Sequence, residues 1–351
     1  MRSLPAYGFE INPSAWIFSK IYEFINIPYE TRKTILRDLR NELENEFPIL
    51  IFSDPSISRH VIEEKVIRIG SSISNKAKIL CNALVVLLDI HNHQLTNDLV
   101  LSKFGTLAKL VQSLPYSIEQ IKADLQDARA LPLEKESIDF VITSPPYINV
   151  FNYHQNYRRS VEVLGWDLLR VAKSEIGSNR ANRSNRFHTV TQYCIDMAQV
   201  LQELARVLRQ SARVILIVGH ESNVLGTPFY NAAIIEQIAA KSGFSIVLRQ
   251  TRRFTNRFGK QIREEVINLS REAYIEDETL PVSIGKAISK ESLVSALERV
   301  PDKNRELLHN SIEQVPDISG TPLFSSANYK EYHTRDRVMM VKENPGDSIH
   351  E

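Results

Sequence analysis

The chain has 351 residues, 43% of them hydrophobic and 24% charged, with a formal net charge of +1. That length can bury one large core or a core with a smaller appendage, and the near-neutral total gives no case for a polyanionic partner, which local clustering must supply instead. No apolar run reaches eighteen residues, the opening Met1-Arg-Ser-Leu-Pro-Ala-Tyr7 lacks the apolar stretch of a signal peptide, and two cysteines, Cys81 and Cys194, make neither a disulfide framework nor a metal site; a cytoplasmic setting without membrane segment or metal is expected.

Strand signals alternate with helical spacing along much of the chain, which predicts an α/β fold with a mostly parallel sheet and crossover helices. Ala6–Glu10 reads as the first strand, and Asn12 with Pro13 as the cap and first turn of a helix covering Ala15–Ile25. From about 28 to 118 the alternation gives way to helical spacing at Glu30–Glu46, Ser58–Ile67, Lys76–His91 and Ser102–Ser113, a helical insertion. Strands return at Ile121–Asp124 and Ile138–Thr143. A long helix over Thr189–Leu208 carries Met197, Val200, Leu201, Leu204 and Val207 at helical spacing and leads to a strand over Ala212–Gly219. Phe244–Leu248 and Glu264–Leu269, joined by a basic segment, predict a hairpin at a sheet edge. Helical pieces near Lys290–Val300 and Lys303–Glu313 precede a polar tail. The organisation expected is 1–27 as the start of a core, 28–118 as the insertion, 119–275 as the main core and 276–351 as an extension.

The most informative stretch is Ile138-Asp-Phe-Val-Ile-Thr143-Ser144-Pro145-Pro146-Tyr147. Its β-branched and aromatic residues make a short strand that two prolines stop by removing backbone donors. What remains is acceptor-rich, the Ser144 hydroxyl and nearby carbonyls, with an aromatic ring beside them. Such a corner can accept both protons of an exocyclic amino group while Tyr147 stacks on the heterocycle bearing it. A Ser-Pro-Pro turn or polyproline docking segment is the bland alternative, and the strand before and aromatic after stand against it.

Thr143 to Tyr147 resembles the catalytic motif of the DNA methyltransferases that modify amino groups, the cytosine-N4 and adenine-N6 enzymes. A motif beginning with Ser is similar to many cytosine-N4 members, and adenine stays open. The resemblance implies a Rossmann-like S-adenosylmethionine-dependent methyltransferase sheet, with Ser144, Pro145, Pro146 and Tyr147 catalytic. Glu10, before Ile11-Asn12-Pro13, resembles the acidic residue that grips the cofactor ribose; Asn12, Asp127 and Thr143 complete the implied cofactor set, Asp127 accepting from the adenine amino group. Val218-Gly219-His220 with Gly226 resembles a later Gly-Asp-Ser segment, His220 replacing the acid. Neither cysteine has the Pro-Cys setting that carbon-5 methylation would need.

The glycine-rich first motif of that family has no counterpart before Glu10, so the sheet is expected to lack its first strand, supplied by a complementing subunit or lost from an inactive remnant. DNA is the implied partner, with two basic stretches for its phosphates: Arg158, Arg159, Arg170, Lys173, Arg180, Arg183 and Arg186, and Arg249 to Arg263 with Phe254 and Phe258 interleaved. The expected activity is site-specific amino methylation of DNA, cytosine N4 before adenine N6, in a restriction-modification system. A non-catalytic DNA-binding or assembly subunit is the alternative.

Overall fold

A computed structural model describes residues 4–49, 55–90, 94–148, 156–177, 182, 184–256 and 259–325. It is α/β, as expected, and divides into two compact units: Met1–Gln126 with Tyr153–Val171 and Phe324–Glu351, and Asp127–Asn152 with Ala172–Leu323.

The first unit holds strands β1 (Ala6–Glu10) and β2 (Ile121–Leu125), paired in parallel with Glu10 opposite Leu125. Around them lie α1 (Pro13–Lys20), α2 (Tyr29–Glu46), α3 (Arg59–Ser72), α4 (Asn75–Leu87), α5 (Asn97–Ser113), α6 (Arg158–Val163) and α7 (Leu168–Val171). The four helices α2 to α5 overlap the segments read as helical, with α3 running on to Ser72 beyond the expected Ile67 and α5 starting at Asn97 before the expected Ser102. They share one core with α1, built on Ile17, Phe24, Leu39, Leu43, Leu80 and Leu107. Two polar staples return the chain from α5 to β2. Buried Arg32 donates to the carbonyls of Ile27, Val111 and Pro115, and Asn26 both donates to Ser117 and Glu119 carbonyls and accepts from the Ile121 amide. A buried guanidinium needs that many acceptors to offset desolvation, and here they fix where β2 begins.

The second unit holds β3 (Ile138–Thr143), α8 (His188–Val207), β4 (Leu208–Gly219), the small hairpin β5 (Ser222–Val224) and β6 (Thr227–Phe229), α9 (Asn231–Lys241), β7 (Phe244–Thr255), β8 (Gln261–Arg271), α10 (Leu280–Ala296) and α11 (Arg305–Glu313). Its sheet runs β3-β4-β8-β7, with β3 and β4 parallel and β8 antiparallel to both neighbours. Helix α8 is buried on nearly every side and packs against α9 and α10. At Gly285 of α10 a β-carbon would lie 2.5 Å from Ile195 Cα of α8, so only glycine permits that approach.

Several elements depart from their sequence reading. Strand β4 starts at Leu208, opposite Ile138, with no loop after α8. Strands β7 and β8 extend through the basic segment, because Arg249-Gln-Thr-Arg-Arg-Phe-Thr255 pairs residue for residue with Gln261–Ile267; the charges sit on strand, not on a connecting loop. Helix α10 begins at Leu280, where Asp277 accepts from Thr279 and Pro281 occupies the first turn, and its Ile284, Ile288 and Leu293 belong to the main core. Among the described residues no helix is long and apolar enough to cross a membrane.

Candidate active site

Strand β3 stops at Thr143, opposite Leu216 of β4, because Pro145 and Pro146 have no N–H to continue the ladder. Ser144 then turns to β4, its Oγ 2.9 Å from the Ile217 carbonyl. A carbonyl can only accept, so the hydroxyl proton is engaged there, and the exposed Ser144 oxygen is left with acceptor capacity, part of it facing the Tyr147 phenol. That is the polarity required to hold an amino group. Pro145 is buried, and Pro146 and Tyr147 are half-buried.

Tyr147 is seated by two glycines. A β-carbon on Gly219 would lie 2.8 Å from Tyr147 Cε2 and 3.1 Å from Cδ2, so the ring lies against bare backbone at the end of β4. Gly177, at φ +75°, approaches from the other end; a β-carbon there would meet the Tyr147 carbonyl at 2.6 Å. Burial pushes the Tyr147 phenol up from its ordinary value, against hydrogen bonds with the Ser144 side chain and the Gly219 backbone that pull it down. The structure thus brings Ser144, Pro145, Pro146, Tyr147 and Gly219 together.

Beyond Gly219 a buried carboxylate organises the end of the sheet. Glu265 accepts from Thr251 Oγ1 at 2.7 Å, from Arg249 Nε at 3.3 Å and from Arg263 Nε at 3.2 Å, and lies 2.9 Å from His220 Nδ1. Burial alone would raise its carboxyl, but the bonds from Thr251, Arg249 and His220 outweigh that and hold it below the usual range. The His220 ring is therefore oriented by an anion, and its other nitrogen is an acceptor when the ring is neutral.

In the other unit, Glu10 closes β1 half-buried, and its carboxylate accepts the Asn12 amide at 2.8 Å. Asn12 in turn caps α1, its Oδ1 taking the Ser14 amide at 3.0 Å and the Ser14 hydroxyl at 2.7 Å. Trp16 Nε1 donates to the Ala123 carbonyl and the Gln126 amide to the Glu10 carbonyl, which align the ends of β1 and β2.

Asp127 is bound to Arg129. It is buried, and both its oxygens are engaged by Arg129: Oδ1 with the amide at 3.0 Å and Nε at 2.9 Å, Oδ2 with a terminal nitrogen at 2.7 Å. Arg129 also reaches Asp196 at 3.1 Å and Thr321 at 2.7 Å. Desolvation pushes the Asp196 carboxyl up to about 6, against Arg129 and the Thr321 bonds, which lower it. A direct side-chain contact from Asp127 to an adenine would require this network to move. Nothing in a lone Asp after a strand foretells it, since Asp196 and Thr321 are distant in sequence.

The basic stretches are less bare than their composition suggests. Arg249 pairs with Glu236 at 3.2 Å as well as with Glu265, Arg252 with Glu264 at 2.5 Å, and Arg158 with Glu162 at 2.6 Å. Glu264 and Glu265 lie across the hairpin and Glu236 on α9, where a count along the basic strand misses them, while Glu162 sits one turn after Arg158 in the same helix. Arg253 and Arg263 stand directly opposite each other, and Arg253 and Lys260 are exposed. Arg180, Arg183, Arg257 and Phe258 lie outside the described residues. Both cysteines are buried, which pushes Cys81 up to about 12 and Cys194 up as well, so neither is a thiolate near neutrality. Among the described residues no group of three or more His, Cys, Asp or Glu is arranged to hold a metal.

No family model matches the chain. It is similar to a type II methyltransferase, M.MjaII, of Methanocaldococcus jannaschii, 25% identical over 196 residues. That match covers 52% of this chain but 33% of the relative, so the chain spans about a third of its length. Among solved structures it is similar to an S-adenosylmethionine-dependent methyltransferase from Methanosarcina mazei (12% identity, 48% of this chain and 77% of the other, TM-score 0.29). A candidate DNA modification methylase from Thermus thermophilus, solved with S-adenosyl-L-methionine, gives 18% identity, 44% and 56% coverage and a TM-score of 0.26. Likeness at this level leaves the function to be argued from the site itself.

Proposed function

We propose that the chain carries the catalytic part of an S-adenosylmethionine-dependent DNA methyltransferase acting on an exocyclic amino group, cytosine N4 before adenine N6, in a restriction-modification system. The observation that carries this reading is Ser144 donating to the Ile217 carbonyl beside the Tyr147 ring on Gly219, an acceptor and a stacking surface at one strand end. A target base is turned out of its duplex at a cost of a few kcal/mol and stacks on Tyr147. Ser144 Oγ and the Pro145 carbonyl accept the amino protons, drawing them from the ring plane and returning the lone pair to the nitrogen. Positioning and desolvation are the chain's contribution, with no covalent link to the base.

When bound, S-adenosylmethionine supplies an electrophilic methyl group. The donor set at the β1 end fits its ribose: Glu10 is acceptor-only once ionised, and Asn12 fixes the turn that presents it. Thr143 and the Asp127 turn belong to the same proposed set, Asp127 through the backbone that Arg129 anchors. The further edge of β3 carries no strand among the described residues, and Phe140 and Ile142 on that strand are 52% and 62% exposed. That edge of the second unit's sheet supports the proposal of pairing with a strand of a complementing subunit that carries the glycine-rich turn.

The test is transfer of a labelled methyl group to duplex DNA by the chain with the product of the reading frame directly upstream. Ser144→Ala and Tyr147→Ala should abolish transfer while DNA binding stays within about threefold, well under the tenfold of 1.4 kcal/mol; full transfer by both variants refutes the assignment.

A further inference from the structure

Asn231 opens α9, far from the Ser144–Tyr147 corner in sequence, and is completely buried. Its Nδ2 donates to the Gly219 carbonyl at 3.1 Å, and its Oδ1 accepts from Ser222 Oγ at 3.1 Å and from the Ile148 amide at 3.4 Å. Gly219 is the residue under the Tyr147 ring, and Ile148 is the residue after it. One amide therefore joins the two backbone segments between which Tyr147 is held. The match is chemical as well as spatial. An uncharged amide carries its donor and its acceptor on two separate atoms, so it can bond the Gly219 carbonyl and the Ile148 amide at once. Two proline residues end the β3 ladder before Tyr147, and beyond them the Asn231 side chain ties Ile148 to the end of β4.

The geometry points to Asn231 as a positioning residue that fixes the Tyr147 ring over Gly219, an inference whose functional meaning rests on the methyltransferase reading above. Asn231 does not touch the base; it acts through Gly219 and Ile148. A purely structural part, capping the start of α9, would leave Tyr147 undisturbed when the side chain is changed.

The experiment uses the full chain labelled with 3-fluorotyrosine. The protein has 12 tyrosines, and the Tyr147 fluorine resonance is identified by its loss in Tyr147→Phe. Asn231→Ala should shift or broaden that resonance while leaving the distant ones in place. Asn231→Asp keeps the acceptor for Ile148 and Ser222 but replaces the donor to Gly219 with an oxygen facing its carbonyl, and should move the resonance as well. Asn231→Asp also reads the question if the alanine variant does not fold. Ser222→Ala, which spares both backbone ties, should leave it unmoved. A Tyr147 resonance unchanged in both Asn231 variants overturns the inference. In the methylation assay, Asn231→Asp should lower kcat about tenfold or more with KM for DNA within about twofold, as expected for lost alignment rather than lost binding. Should the wild-type pair methylate nothing while the resonance behaves as stated, the clamp stands and the methyltransferase reading falls; methylation with an unmoved resonance gives the reverse.

Discussion

Adding one methyl group at Gly219 tests whether the Tyr147 ring is held in place or merely nearby. The new β-carbon would sit 2.8 Å from Cε2, 3.1 Å from Cδ2 and 3.3 Å from Cζ of the ring. An ordinary contact begins near 3.4 Å, so the nearest atom must retreat by roughly 0.6 Å, enough to register as overpacking. Strand β4 cannot give way easily, because Gly219 is paired with Glu264 and the next amide, His220, donates to the Arg263 carbonyl at 3.2 Å. Nor can the corner slide along its own chain, since Gly177 backbone meets the Tyr147 carbonyl. The ring must therefore tilt, or the strain must remain. Overpacking of this kind costs about 1–3 kcal/mol, and a displacement approaching 1 Å at a reacting group costs up to about a hundredfold in rate. Gly219→Ala should lose about 1–3 kcal/mol in urea unfolding and about tenfold or more in methyl transfer, with DNA affinity little changed. Wild-type stability and wild-type transfer in that variant would refute the proposed seat of the ring.

Four further outcomes follow from other parts of the molecule. Gly285→Ala sets a β-carbon against the Ile195 backbone, which cannot move aside as a side-chain tip can, so thermal unfolding should show a loss of about 3 kcal/mol or more. Asp196 binds its proton more tightly folded than unfolded, with a carboxyl near 6 against an ordinary 3.8; its contribution is therefore present below about pH 4 and is lost as pH rises to about 6, and urea unfolding of wild type relative to Asp196→Asn should show wild type losing ground across that window. Arg253→Ala and Lys260→Ala should each reduce the slope of log affinity for duplex DNA against log salt by about one, if those exposed cations meet phosphates, and an unchanged slope removes them from the interface. Ile142→Lys on the exposed face of β3 should leave the stability of the chain within about 0.5 kcal/mol yet abolish any gain in cofactor affinity on adding the upstream product.

Local chemistry in this chain is readable from sequence, and what packing adds is not. The strand, its proline stop and the Ser144–Tyr147 corner are set by adjacent residues, and the four insertion helices by spacing within each segment. The seat of Tyr147 comes from Gly177 and Gly219, and its tie from Asn231, residues whose roles exist only once β4 and α9 are in place. The basic segment read as an uncompensated cationic loop because its acids, Glu264 and Glu265, lie across a hairpin whose strands run further than their apolar pattern. Asp127 was read by its order along the chain, and the network that engages it is assembled from α8 and the Thr321 segment.

The central claim is that Ser144 and Tyr147 present an amino group for methylation. Mass spectrometry of nucleosides from DNA incubated with the chain, the product of the reading frame directly upstream and S-adenosylmethionine tests it most directly. The account predicts N4-methylcytosine, with N6-methyladenine the lesser expectation, and neither product when Ser144 is changed to alanine. A methylated base that persists in Ser144→Ala, or 5-methylcytosine in place of an amino-methylated base, would contradict it.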